Sequence, residues 1–241
     1  PDGRIVTTNG YDTQVLENID SRLLDHGWRE PAFNDSTWSA PSAVPVSRKD
    51  YTFVPQLIPP LEFSVLRPVR IKKVAPDAWQ LDFGREITGQ FGMTVPGRDG
   101  HVVEIRHAEE MNPDGRIRFD MRCNCKCQET WTLSARPKET LEFYEYRGFR
   151  FVEVINSPVP LTKQNTWATV RHYPWPKSIR GGAGAFDSSS RLLDNIWRIC
   201  ANGVLCNSQE NYVVCPTREK GQYFGDNTVI EVVWTPEVRF N

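Results

Sequence analysis

Apolar and polar residues alternate in several short runs between residues 67 and 173, and this period of two constrains the fold more than any other feature. Trp79, Leu81 and Phe83 form one run, and Val103 and Ile105 belong to another. Because successive side chains of a strand point to opposite faces, a period of two predicts β-strands. Many short strands with turns at close intervals predict a mainly β fold, with a β-sandwich over residues 67–173.

Two turns are predicted inside this region. Residues 84–89 carry a glycine at each end and lie between two alternating runs, and residues 112–115 read Asn-Pro-Asp-Gly. Glycine, proline and asparagine interrupt strands for backbone reasons, so we expect the chain to reverse at both places.

Three cysteines alternate shortly afterwards, at Cys123, Cys125 and Cys127. On a strand all three would share one face. Zinc ligands are usually separated by at least two residues, so buried thiols are favoured over a metal site. The sequence predicts neither a metal nor another cofactor.

Residues 1–66 are predicted to form an accessory β-rich piece and connector. The stretch from Gly27 to Trp38 indicates strand ends around a turn, with Asn34, Asp35 and Ser36 at its tip. It resembles the edge of the accessory sugar-binding-like β-sandwiches at the N-termini of many glycoside hydrolases. An ordinary turn anchored by tryptophan is the alternative.

Composition narrows the classes of partner. Twenty-nine basic and 30 acidic residues leave a formal net charge of −1, so nothing favours binding to nucleic acid or to an anionic membrane. The aromatic content of 11% suits carbohydrate stacking, although buried cores also use tryptophan.

The chain starts at Pro1 without an initiator Met or a signal peptide, so we expect it to be processed or part of something longer. Periplasmic, extracellular and cytoplasmic locations all stay open.

The last third of the chain changes character. Prolines at 174 and 176 and glycines at 181, 182 and 184 predict a linker over residues 174–184. In residues 185–241, Asp187 or Ser188 is expected to cap a helix. One stripe of that helix is apolar and is predicted to face a core: Leu192, Leu193, Ile196, Trp197, Cys200, Val204 and Leu205.

The stretch over residues 213–226 concentrates the chemistry. Pro216 interrupts any helix, so Glu219 and Asp226 are predicted to lie on one irregular connection with Arg218 and Tyr223. Carboxylates beside aromatic rings are typical of a sugar site. The alternative is a solvated loop in which Asp226 only caps the next helix.

This connection carries a resemblance. The run from Cys215 to Lys220, followed by an aromatic residue and Gly-Asp, is similar to the signature of the bacterial α-L-rhamnosidases, glycoside hydrolase family 78. The resemblance implies that the loop joins the first two helices of an (α/α)6 barrel. It also implies that Glu219 is the general acid and that Arg218, Tyr223 and Asp226 bind the sugar. Most members have Asp before the Cys-Pro pair, whereas this chain has Val214, which leaves the exact sugar open.

The β region matches the sandwich that precedes the rhamnosidase barrel, through several motifs in the same order. His107 and Glu109 lie in one of them, and their place within a strand indicates structural roles. The matching segments are residues 82–84, Gly89, residues 106–109, residues 112–115 and residues 146–154.

The resemblance implies a glycosidase that releases terminal α-L-rhamnose with inversion from a rhamnosylated glycan or glycoside. A six-hairpin barrel needs roughly 300 residues, and about 55 follow the linker. The family's general base, a Glu from a late barrel loop, is therefore not in this sequence, and we expect the chain alone to be inactive. The missing barrel or a second copy would cover the apolar helix. The alternatives are a non-catalytic carbohydrate-binding β-sandwich module and a structural interaction sandwich.

Overall fold

The computed structural model describes residues 3–9, 14–40, 52–174, 186–225 and 228. Within these residues the named elements are ten strands, one α-helix and one short 3₁₀ turn, so the prediction of a mainly β fold is confirmed. The strands are β1 (Arg4–Asn9), β2 (Gln14–Asp20), β3 (Glu62–Leu66), β4 (Arg70–Ala75), β5 (Ala78–Val95), β6 (Val102–Ala108), β7 (Gln128–Thr132), β8 (Glu139–Leu141), β9 (Arg147–Ile155) and β10 (Thr166–His172). The helix is α1 (Arg191–Asn207).

The described strands hydrogen-bond into one continuous sheet in the order β1-β2-β7-β6-β9-β5-β10-β3, and β4 and β8 also pair with β5. Strand β5 connects the strands of this sheet, because its 18 residues pair with different strands along their length. Its first residues pair with β4 and β9, its middle still pairs with β9, and its last residues pair with β10 and β8. Every pairing is antiparallel except that of β2 with β7.

The predicted turn at residues 84–89 is wrong, because β5 runs straight through it. The register against β9 shifts between Asp82 and Ile87, which marks an irregularity within the strand. Gly84 has a φ of 82°, and its N–H donates to Asp82 Oδ1 at 2.8 Å. Glycine here accommodates a left-handed residue inside a strand, as a bulge requires, and does not reverse the chain.

One hydrophobic cluster forms the main core, and β9 is buried along most of both faces. Phe83 and Phe149 meet edge to face with centroids 5.6 Å apart, and Phe149 also contacts the ring of His107 at 5.2 Å. Trp131 is buried with its Nε1–H donating to Ser21 Oγ at 2.7 Å. Of the alternating residues, Leu81, Phe83, Val103 and Ile105 are buried, and Trp79 is partly buried against the same cluster.

The cysteine run does not form a strand. Residues Arg122–Asn124 make a single 3₁₀ turn, Asn124 has a φ of 59°, and β7 begins only at Gln128. Cys125 and Cys127 are nevertheless buried, as expected for small apolar side chains.

The N-terminal residues join the same sheet. Strands β1 and β2 form a hairpin that continues it through Ile19 and Trp131, and β3 pairs with β10. Strand ends predicted between Gly27 and Trp38 are absent there, but the turn is present: Ser36 N–H donates to Asn34 Oδ1 at 3.0 Å. The division at residue 66 and the other domain boundaries stay predictions.

A buried polar cluster ties the hairpin to the core. Arg147 and Glu129 form an ion pair whose side chains are almost fully buried, and Arg147 Nη2 also donates to the carbonyl of Val15 at 2.6 Å. Glu129 Oε1 accepts the backbone N–H of Glu17 at 2.9 Å. Burial raises the pKa of Glu129, against the opposing effect of Arg147. Burial and the charge of Arg147 lower the pKa of His107 well below its usual range, so its ring is neutral at pH 7.

Helix α1 begins after Ser190, so the prediction that Asp187 or Ser188 caps it is wrong. Ser188 instead meets the first turn through Asp194, whose Oδ1 accepts its N–H and hydroxyl at 2.9 Å each. The core-facing prediction fails over the first turns, where Leu192 is 68% exposed and Ile196 is 47% exposed. Only the C-terminal end packs on β5 and β10, which buries Val204 there.

The described α1 is not long and apolar enough to span a membrane. The second barrel helix that the resemblance implies would follow the loop. Phe224, Gly225 and Thr228 are helical, and residues 226, 227 and 229–241 lie outside the described part of the chain. The predicted linker over residues 174–184 also lies there, apart from its first residue. The start of an (α/α)6 barrel therefore stays a prediction.

Candidate active site

The connection after α1 closes into a compact loop. Val213 N–H donates to the carbonyl of Asn207 at 2.9 Å, and Val214 N–H donates to that of Gly221 at 2.9 Å. Inside this frame Lys220 N–H donates to the Cys215 carbonyl at 3.2 Å. As predicted, Pro216 lies in an irregular segment, and residues 216–219 form a turn whose first two residues are buried and whose last two are half-buried.

The first anchor of this loop is Thr217, which is buried against the sheet. Its hydroxyl contacts the Glu109 carboxylate, and its Oγ1 lies 3.1 Å from the Gly148 carbonyl oxygen. A Cβ on Gly148 would lie 2.7 Å from Pro216 Cγ and 2.8 Å from Thr217 Oγ1. Glycine at this point of β9 therefore makes room for the loop.

The second anchor is Lys220, whose ammonium contacts the carboxylate of Glu145 and donates to the carbonyl of Tyr146 at 2.7 Å. The same ammonium lies 4.2 Å from the Tyr146 ring centroid, and the guanidinium of Arg171 lies 4.4 Å from it. Burial lowers the pKa of Lys220, and the ion pair with Glu145 opposes that shift. Burial raises the pKa of Tyr146 to about 12, so its hydroxyl is neutral.

Between the two anchors lie the predicted acid and its neighbour. Arg218 and Glu219 form an ion pair, with 34% and 21% of their side chains exposed. The backbone N–H of Glu219 donates to Cys215 Sγ at 3.2 Å. The carboxylate therefore lies at the surface on a fixed backbone, within reach of a ligand from solvent.

The predicted aromatic residue follows closely. Tyr223 is 50% exposed, and the neighbouring Phe224 is 81% exposed. A Cβ on Gly221 would lie 2.7 Å from the Tyr223 ring, so Gly221 lets that ring fold back over the loop. Arg218, Glu219 and Tyr223 thus belong to one connection, while Asp226 lies outside the described residues.

Two carboxylates near this loop, Glu86 and Glu109, were given no functional role in the sequence analysis. Burial and the negative charge of Glu109 raise the pKa of Glu86 to about 7. Burial and the charge of Glu86 raise the pKa of Cys206 to about 12. Glu109 was predicted to lie within a strand, but it lies directly after β6, which ends at Ala108. Its contact with Thr217 could not be inferred from local spacing because 108 residues separate them.

Nothing in this arrangement gathers metal ligands. Among the residues that the structure describes, no group of three or more His, Cys, Asp or Glu side chains is placed to hold an ion. His107 lies in the core, where its ring packs against phenylalanines. The described loop offers instead a carboxylate, a guanidinium and exposed rings, which are groups that can bind a sugar.

The β region is similar to a domain of known proteins. Residues 72–172 match the model of the bacterial alpha-L-rhamnosidase concanavalin-like domain. Residues 72–172 therefore form a domain of the bacterial α-L-rhamnosidase family. An alpha-L-rhamnosidase of Streptomyces avermitilis is 30% identical over 203 residues, which cover 83% of this chain and 19% of that protein.

Solved structures agree with this family. The S. avermitilis α-L-rhamnosidase complexed with L-rhamnose superposes with a TM-score of 0.69 at 26% identity, over 91% of this chain and 21% of that one. The α-L-rhamnosidase from Dictyoglumus thermophilum gives 0.70 at 25% identity, over 85% of this chain and 23% of that one. The chain thus spans about a fifth of the length of these rhamnosidases.

Proposed function

We propose that this chain supplies the general-acid side of an α-L-rhamnosidase active site, with Glu219 as the acid. The observation that carries the proposal is the position of Glu219 on an anchored turn at the surface, beside Arg218 and ahead of Tyr223. The family resemblance of the same residues supports it. Tyr223 would stack on the sugar ring, and Asp226 would bind its hydroxyls.

The reaction is hydrolysis with inversion. Glu219 gives its proton to the glycosidic oxygen as the bond to the anomeric carbon breaks. Water attacks that carbon from the opposite face and loses a proton to a second carboxylate, about 6.5–9.5 Å from the first in inverting enzymes. The products are free rhamnose and the alcohol that carried it, and no cofactor takes part.

Arg218 has a defined place in this scheme. Its guanidinium contacts the Glu219 carboxylate, so the two groups lie together on the loop. Arg218 would hydrogen-bond a sugar hydroxyl there while Glu219 meets the glycosidic oxygen.

The test is Glu219→Gln in the longest polypeptide that the gene encodes. We expect a loss of roughly 10²–10⁴-fold in kcat on rhamnosides with poor leaving groups, and a much smaller loss on activated aryl rhamnosides, whose leaving groups need little protonation. Glu210→Gln is the matched control, because Glu210 lies on the same connection and pairs with Arg171.

Equal small losses on both substrates would remove Glu219 from the role of acid. Rhamnose binding measured without any turnover in the unmodified polypeptide would favour the carbohydrate-binding module instead.

A further inference from the structure

The turn that carries Arg218 and Glu219 is fixed to the sheet by the residue before the pair and by the residue after it. Thr217 contacts Glu109 and Gly148, and Lys220 contacts Glu145 and Tyr146. These partners come from the end of β6 and from the start of β9 and the segment before it. The sheet, and not only the helical segment, therefore determines where the turn lies.

The Thr217 contact is specific in its chemistry. The hydroxyl has one hydrogen, and both of its neighbours, the Glu109 carboxylate and the Gly148 carbonyl, can only accept. A hydrogen bond to a charged acceptor is stronger than one between neutral groups. Thr217 is also 95% buried, so water does not compete for the contact.

The residues beneath this contact are closely packed. Gly148 is buried in β9, and any side chain there would overlap Pro216 and Thr217. On the far side, Lys220 takes a φ of 53°, a left-handed conformation that is uncommon for residues other than glycine. The half-buried ion pair with Glu145 holds it there. Contacts on both sides of the turn therefore restrict where the carboxylate of Glu219 can lie.

We infer that Thr217 is a positioning residue for Glu219, and that Glu109 and Gly148 act through it by docking the turn onto the sheet. The inference rests on the proposed function of Glu219. It assigns to the β region a direct part in setting the geometry of the acid, through three residues that touch no substrate.

The docking itself is tested on this chain by the reactivity of Cys215, whose Sγ accepts the N–H of Glu219 within the turn. Thr217→Val keeps the shape and removes the hydroxyl, whereas Thr217→Ser keeps the hydroxyl. Loss of a hydrogen bond to a charged group makes local opening of the turn more frequent, so we expect Thr217→Val to raise the alkylation rate of Cys215 by about tenfold. Thr217→Ser should restore the original rate. Fragment-ion mass spectrometry separates Cys215 from the other cysteines.

Thr166→Val is the matched control. Thr166 is a buried threonine whose hydroxyl also donates to a carbonyl, that of Thr162 at 2.7 Å, and it lies at the start of β10, where it pairs with Met93 of β5. The Thr166→Val variant loses a comparable hydrogen bond without loosening the turn, so the alkylation rate of Cys215 should not change. An equal rise in Thr166→Val, or no rise in Thr217→Val, would overturn the docking.

The consequence for the acid is measured in the longest polypeptide that the gene encodes. A misplaced acid should lower kcat by about tenfold or more on poor leaving groups, with KM and the rates on activated aryl rhamnosides nearly unchanged. Thr217→Ser should recover kcat. If Glu219→Gln is inactive on poor leaving groups while Thr217→Val is fully active, the positioning role is wrong and the proposed function stands. If Thr217→Val loosens Cys215 while Glu219→Gln keeps full activity, the docking stands and the proposed function is wrong.

Discussion

The ion pair between Arg147 and Glu129 is the contact whose loss should cost this fold most. Both side chains are almost fully buried, so removing one partner leaves the other charge without compensation. Breaking a buried pair in this way typically costs about 3–5 kcal/mol. We therefore expect Arg147→Met, which keeps the length and the apolar stem, to lower the free energy of unfolding by that amount.

The double variant separates the pair from its surroundings. Arg147→Met with Glu129→Leu removes both charges, but it also orphans the Val15 carbonyl and the Glu17 N–H, at about 1–3 kcal/mol each. Its total cost, about 2–6 kcal/mol, should fall well below the sum of the two single costs.

Urea titrations of the four proteins at pH 8 and pH 5 provide the measurement. In Arg147→Met the pKa of Glu129 stays raised by burial, so the native state holds a proton that the unfolded state releases. Stability of that variant then falls as pH rises through the raised pKa, and its deficit is smaller at pH 5 than at pH 8. A single-variant cost below about 1 kcal/mol, or strictly additive costs, would refute the reasoning.

Two further predictions concern stability. The pKa of Glu86 lies near 7 in the folded chain against an ordinary 4.5, so its contribution to stability falls as pH rises between those values. Glu86→Gln should therefore leave stability unchanged at pH 4 and raise it by on the order of 1 kcal/mol at pH 8, in urea titrations; a gain at pH 4 alone would contradict this. Phe149→Ala removes a fully buried ring and should cost about 3–5 kcal/mol, whereas Phe224→Ala, at an exposed ring, should change unfolding by less than about 0.5 kcal/mol; equal costs would show that burial does not decide the effect.

The sequence was informative where one local rule decided the structure. Alternation identified the strands of Leu81 and Val103 because a period of two has a single physical source, the pleat. It could not show that β9 is buried on both faces, since that depends on what packs above and below the strand. Nor could it tell the bulge at Gly84 from a turn, because glycine permits both.

The helix and the loop show a different limit. The apolar stripe of α1 was recognised, but the exposure of Leu192 and Ile196 depends on which elements lie opposite them. For the loop, Pro216 correctly predicted an irregular turn. The anchors at Glu109 and Glu145 lie 108 and 75 residues from their partners, a distance at which spacing carries no information.

The parallel pairing of β2 with β7 has a consequence for how the chain folds. Ile19 meets Trp131 across 112 positions of sequence, whereas the partners of β5 and β4 are separated by as few as three. Closing so long a loop costs chain entropy before any contact forms, so local pairs assemble first and the β1–β2 hairpin adds late. Until it arrives, the edge of β7 offers unpaired amides to any suitable strand. At high concentration during refolding, that strand can come from another molecule, and hairpins exchanged between neighbours would be the characteristic misassembled form.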